Sequence, residues 1–181
     1  MQSNNKHIFG VVGGSGAGKS YVTGLFAPYN AYIIEADKVG HEVLQTTAYD
    51  KVISAFGESI LAENKSIDRK KLGAIVFANK KELKKLDAVM MPLITEYIYK
   101  EIADKIRYHD IIVLDAALLF ELKLDLVCDH ILLVAASDKA RIERIKLRDN
   151  ISEEHAINRI KSQRDFSKLE KKEAITVIKN G

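Results

Sequence analysis

Apolar positions along this 181-residue chain fall into short unbroken runs separated by longer stretches at helical spacing, a pattern that builds an open α/β sheet. Five runs read as strands: 8–12, 31–34, 110–114, 130–136 and 174–178. From Val39 to Tyr108 there is no strand, only helical periodicity interrupted at Gly57, Asn64, Asn79 and Pro92. That stretch is far longer than a one-helix crossover needs, so it reads as a helical subdomain between the second and third strands. Asp68 is placed to cap a helix over 69–77, with Leu72, Ile75 and Val76 as its apolar stripe, and Pro92 is expected to start another over 93–106. Beyond the fourth strand, one helix is expected over 138–148 and a second, capped by Ser152, running through Arg159 and Gln163.

Between the first strand and the first helix lies GGSGAGKS, Gly13 to Ser20, which fits Gly, four residues, Gly, Lys, Ser: a phosphate-binding loop in the strand-loop-helix setting it requires. Its glycines take backbone dihedrals other residues avoid, so successive N–H groups can surround phosphate oxygens at a helix N-terminus. Lys19 is expected to bring a point charge to the β- and γ-phosphates, and the Ser20 hydroxyl would complete the coordination of a Mg²⁺ ion bridging them. Gly14, Ser15, Gly16, Ala17, Gly18, Lys19, Ser20 and Tyr21 form the expected ATP-binding set. What is transferred, and to what, must come from elsewhere.

Charge and composition narrow the choice of partner. The chain carries 28 Lys and Arg against 25 Asp and Glu, a formal net charge of +3, with a pI near 8.8. That balance suits anionic small molecules but is too mild for a nucleic-acid surface, and Tyr and Phe are not interleaved with basic residues as a stacking platform would need. The single cysteine, Cys128, excludes an internal disulfide and is expected to be a buried small hydrophobe, which points to a reducing, cytoplasmic compartment. No apolar run approaches the roughly 18 residues of a membrane span, so neither insertion nor secretion is expected.

Several polar residues gain meaning from the strand pattern. In an open α/β sheet, ligands bind beyond the carboxyl ends of the strands, so Asp37, just past the second run, shares a rim with the phosphate loop. Two roles are open to it: a base for an attacking hydroxyl, or an N-cap for a helix beginning at Lys38. Asp115 ends the third run, where a carboxylate holds Mg²⁺ directly or through water. Arg144 and Arg148 are four apart on one helix face, which suits a lid bringing guanidinium groups to a transferring phosphoryl group and equally suits a solvated face. The cluster of Lys80, Lys81, Lys84 and Lys85 reads first as a solvated face, with a phosphorylated substrate as the other option.

With these segments in order, the chain resembles the dephospho-CoA kinases over essentially its whole length. The resemblance rests on GGSGAGKS, EAD at 35–37, FGESIL at 56–61, IDRKKLGAIVF at 67–77, MPLI at 91–94, VLDAALLFE at 113–121, RIERIKLRD at 141–149, RIKSQ at 159–163 and VIKNG at 177–181. It implies a three-layer α/β/α P-loop NTPase core with a five-stranded parallel sheet, covering residues 1–38 and 109–181. A helical CoA-substrate domain is inserted at 39–108 and a helical lid spans about 139–165. It also implies transfer of the ATP γ-phosphoryl group to the ribose 3′-hydroxyl of dephospho-CoA, the last step of coenzyme A synthesis. Asp37 falls on the family's base, Arg69 on its substrate motif, and Arg144 and Arg148 on its lid. The chain departs from the family at Glu35, where Asp is usual, at His41, where Arg is usual, at Met91, usually His, and at Ala117, usually Pro. A different small-molecule kinase would share the core but not the inserted motifs. A nucleotide switch would show Asp-x-x-Gly after the third strand, where this chain reads Asp115, Ala116, Ala117, Leu118.

Overall fold

The computed structural model describes residues 6–163, 166 and 175–181. The five apolar runs become β1 (His7–Val12), β2 (Tyr32–Glu35), β3 (Ile111–Asp115), β4 (His130–Ala135) and β5 (Ile175–Lys179), which pair in parallel in the order β2-β3-β1-β4-β5. The expected strands are displaced by about one residue, within the usual uncertainty of an element's end. Ala174, expected to begin the fifth, lies outside the described residues, as do Arg164 and Asp165 at the end of the expected lid.

A parallel sheet needs helices on both faces, so its strands are apolar throughout rather than alternating. Accordingly Val11, Val12, Ile112, Val113, Leu114, Leu133 and Val134 are all buried. The central strand is β1, with β3 on one side and β4 on the other, and in that arrangement ligands bind outside the carboxyl end of the strand where the chain direction divides. The phosphate loop follows β1 directly.

Two units divide the chain: Met1–Glu35 with Asp104–Gly181, and Ala36–Ala103. The first holds the sheet, α1 (Lys19–Gly24), and a helical pair. That pair is formed by α6 (Asp138–Asp149), capped by Ser137 accepting from the N–H of Ala140, and α7 (Glu153–Lys161), capped by Ser152 accepting from His155. The α7 helix stops two residues short of Gln163, which lies just beyond its C-terminal cap Ser162.

The second unit comprises α2 (Ala36–Gln45), α3 (Tyr49–Phe56), α4 (Arg69–Ala78) and most of α5 (Lys80–Lys105). Its core is built from Val39, Val43, Val52, Ile60, Ile67, Leu72, Val76 and Ile98. The Asp68 cap is present, its side chain accepting from the N–H groups of Lys70 and Lys71. One expectation gives way here, and one of the two roles open to Asp37 closes. Pro92 does not start a helix but lies inside one 26-residue helix; a proline forgoes one N–H bond, to the carbonyl of Ala88, and strong helix formers on both sides carry the segment through. Asp37 is not a cap, because α2 begins at Ala36 and puts Asp37 within its first turn. Among the described residues no helix is long and apolar enough to cross a membrane.

Candidate active site

Gly13 to Gly18 leave β1 in a tight loop that opens α1 at Lys19. Backbone conformation explains the glycines. Gly16 has φ +75°, and a Cβ there would lie 2.6 Å from the Arg141 carbonyl oxygen, so no side chain fits. Ala17 donates to the Gly14 carbonyl at 3.1 Å and closes the turn, whereas the N–H groups of Gly16, Gly18, Lys19 and Ser20 have no acceptor among the described residues. These four donors sit at the positive end of a helix, which is the chemistry an anionic phosphate needs.

Lys19 and Asp115 meet here: Nζ lies 4.0 Å from Oδ1, with both side chains largely buried. Register explains the meeting, because Asp115 pairs with Val11 of β1 and Glu35 of β2 at the carboxyl end of the sheet. Ser20 is exposed on the first turn of α1, and Tyr21 beside it is 66% exposed. A hydroxyl and a carboxylate are hard oxygen donors of the type Mg²⁺ takes together with phosphate oxygens, so the residues fit that ion.

The two arginines of the expected lid differ in placement. Arg144 reaches the loop, where its Nη1 donates to the carbonyls of Gly16 at 3.2 Å and Ala17 at 3.4 Å and to that of Asn180 at 3.1 Å. Arg148 instead forms a two-pronged pair with the neighbouring Asp149, at 2.8 and 2.9 Å, and Arg159 of α7 joins the same carboxylate. The Arg148 guanidinium, seconded by Arg159, holds the Asp149 carboxyl down to about 2. One face of α6 therefore serves two places, the loop at one end and the link to α7 at the other.

Three loop partners lay outside the sequence-derived site set. Arg141 donates from Nε to the Ser15 carbonyl at 3.1 Å, Asn180 donates from Nδ2 to the Ala17 carbonyl at 2.9 Å, and Gln163 grips Ser15 twice. Its Oε1 accepts from the Ser15 N–H at 2.9 Å and its Nε2 donates to the hydroxyl at 2.6 Å. The available signal was the stripe Arg141, Arg144, Arg148 along α6, but a stripe does not say what it faces. In the second unit, Asp37 is exposed and Arg69 opens α4 with Nη1 3.4 Å from His41 Nδ1. Cys128 is far from reactive: burial, then Asp125 and Asp129, pushes its thiol up to about 12, and Sγ donates to the Leu124 carbonyl.

Comparisons with known proteins agree with one another. The family model described as dephospho-CoA kinase matches residues 7–181. The chain is 37% identical to the dephospho-CoA kinase of Fusobacterium nucleatum subsp. nucleatum over 174 residues, which is 96% of this chain and 89% of that protein. Among solved structures, TT1252 from Thermus thermophilus matches with a TM-score of 0.84 at 25% identity, over 98% of this chain and 90% of its own. The dephospho-CoA kinase from Campylobacter jejuni matches with a TM-score of 0.64 at 28% identity, over 97% and 89%.

Proposed function

Since the chain belongs to the dephospho-CoA kinase family, we propose that it moves the γ-phosphoryl group of ATP to the ribose 3′-hydroxyl of dephospho-CoA, giving coenzyme A and ADP. The observation that carries this reading is the phosphate loop itself, with Lys19 4.0 Å from Asp115 at the carboxyl end of β3. The donors at residues 16, 18, 19 and 20 take the β- and γ-phosphate oxygens of ATP, and Lys19 offsets the charge that grows there during transfer.

Asp37, in the first turn of α2, accepts the proton of the 3′-hydroxyl as its oxygen attacks phosphorus and the bond to the β–γ bridging oxygen breaks. Arg144 and Arg148 offer guanidinium groups to the phosphoryl group in flight, and for Arg148 this means exchanging the Asp149 carboxylate for phosphate oxygens. Ser20 and Asp115 would hold Mg²⁺, which would neutralise phosphate charge when bound. The inserted segment, 39–108, is the dephospho-CoA domain, with Arg69 reading substrate oxygens beside His41. A cytoplasmic location belongs to the same reading, since ATP and a protonated free thiol at Cys128 both suit a reducing compartment.

The test is a measurement of ADP release with dephospho-CoA against a panel of nucleoside monophosphates. Dephospho-CoA should be turned over far faster than any other acceptor. A monophosphate that outpaces it makes the chain a kinase of another substrate.

A further inference from the structure

Three successive carbonyls of the phosphate loop, those of Ser15, Gly16 and Ala17, each accept from a side chain behind the loop. A trans peptide is planar and its N–H points opposite its C=O, so fixing one carbonyl aims the next residue's N–H. Holding the Ser15 and Ala17 carbonyls therefore aims the N–H groups of Gly16 and Gly18, two of the donors that have no protein acceptor among the described residues. We propose that Arg141 and Asn180 are positioning residues for ATP transfer, fixing the carbonyl edge of the loop so that the Gly16 and Gly18 donors face the nucleotide phosphates. This inference rests on the reading that the loop binds ATP.

Arg141 is tied to the loop and its supports through all three guanidinium nitrogens, each of which donates to a protein oxygen. Nε holds the Ser15 carbonyl, Nη1 the Asp138 carboxylate at 3.1 Å and Nη2 the Gln163 amide oxygen at 3.1 Å. Asn180 is anchored just as fully. Its backbone N–H donates to the Ala135 carbonyl at the end of β4 at 2.8 Å, its own carbonyl accepts from Arg144, and its Nδ2 holds Ala17. The loop thus takes its shape from the end of the sheet on one side and from α6 on the other. Cationic groups on the carbonyl side also deepen the positive potential on the N–H side, since they align with the peptide dipoles. The glycines complete the arrangement, for a Cβ at Gly18 would run into Asn180 Nδ2 and one at Gly16 into the Arg141 carbonyl.

Asn180→Asp tests this with little change of shape, replacing a donor by a charged acceptor that repels the Ala17 carbonyl. Arg141→Lys keeps the charge and loses the fork. Calorimetric titration with ADP should show affinity falling about tenfold or more in each variant, the loss of one or two hydrogen bonds made in a charged setting. The KM for ATP should rise with it, while the KM for dephospho-CoA stays within about twofold and the melting temperature within a few degrees. A purely structural role would lower the melting temperature and weaken both substrates together. ADP affinity within about twofold of wild type in the folded variants, or equal losses for both substrates, overturns the proposal. If Arg141→Lys does not fold, Asn180→Asp and Asn180→Ala decide by the same readouts. A wild-type protein that binds ADP but leaves dephospho-CoA untouched removes the functional reading and leaves this comparison in place.

Discussion

The phosphate loop and the first turn of α2 both follow strands of one parallel sheet, yet they are prepared for chemistry in opposite ways. In the loop almost every polar group is already committed: carbonyls to Arg141, Arg144 and Asn180, and the Ser15 N–H and hydroxyl to Gln163. What is left over is the set of N–H donors a phosphate takes. Asp37 on α2, and likewise Arg148 at the far end of α6, are exposed side chains, and in the roles proposed for them their working geometry would depend on substrate arriving. The contrast follows from the ligands. A triphosphate is recognised by many weak, precisely aimed donors, and aiming them beforehand spares ordering entropy on binding. A proton acceptor needs one atom in place, and side-chain rotation can supply that late.

The largest expected effect belongs to the unprepared side. Asp37→Asn should lower kcat by roughly two to four orders of magnitude, because an amide cannot take a proton. Melting temperature should move little, since a carboxylate in a first helical turn contributes only about 0.3–1 kcal/mol. Single-turnover phosphorylation of dephospho-CoA measures it, and a rate within a few-fold of wild type would remove Asp37 from the chemistry.

On the prepared side, Lys19→Ala should cost about 3 to 4 kcal/mol of transition-state stabilisation, or two to three orders of magnitude in rate, with the fold intact. Near-normal turnover by a folded Lys19→Ala protein would end the assignment of the loop. Gly16→Ala asks whether the shape of the loop matters apart from its charges. At φ +75° with 2.6 Å from the new Cβ to the Arg141 carbonyl, the loop must shift, at a cost on the order of 1–3 kcal/mol. Weaker ADP binding should accompany a lower melting temperature. Unchanged ADP affinity would mean that the loop tolerates a displaced carbonyl edge, which blurs the contrast with α2.

The smallest effect concerns the link between α6 and α7. The Asp149 carboxyl is depressed from about 3.8 to about 2, first by its hydrogen bond from Arg148. A depressed acid stabilises the folded state fully above its unfolded value and loses that contribution as pH falls through the folded one. The link should therefore be insensitive to pH above about 4 and weaken progressively toward pH 2. Following the Asp149 carboxyl resonance through an acid titration checks this, and Arg148→Ala should move its midpoint back toward the ordinary carboxylate value.

Sequence by itself determined more of the nucleotide end than of anything else. GGSGAGKS specifies its own geometry, because glycine, lysine and hydroxyl at fixed spacing between a strand and a helix leave few conformations open. The five apolar runs likewise announced a sheet, and Asp68 and Ser152 announced the starts of α4 and α7, since capping is a local event. Pro92 misled because local propensity said break, while the remaining hydrogen bonds of a 26-residue helix outweigh the one it lacks. Only the tertiary structure could decide the strand order β2-β3-β1-β4-β5, which brings Asp115 beside Lys19 across about a hundred residues of chain. It also decided that Arg141, Gln163 and Asn180 converge on Ser15 and Ala17, and that Arg144 and Arg148 part company along one helix face. Spacing in a sequence says which side chains share a face; what that face meets is settled by packing between elements far apart in the chain.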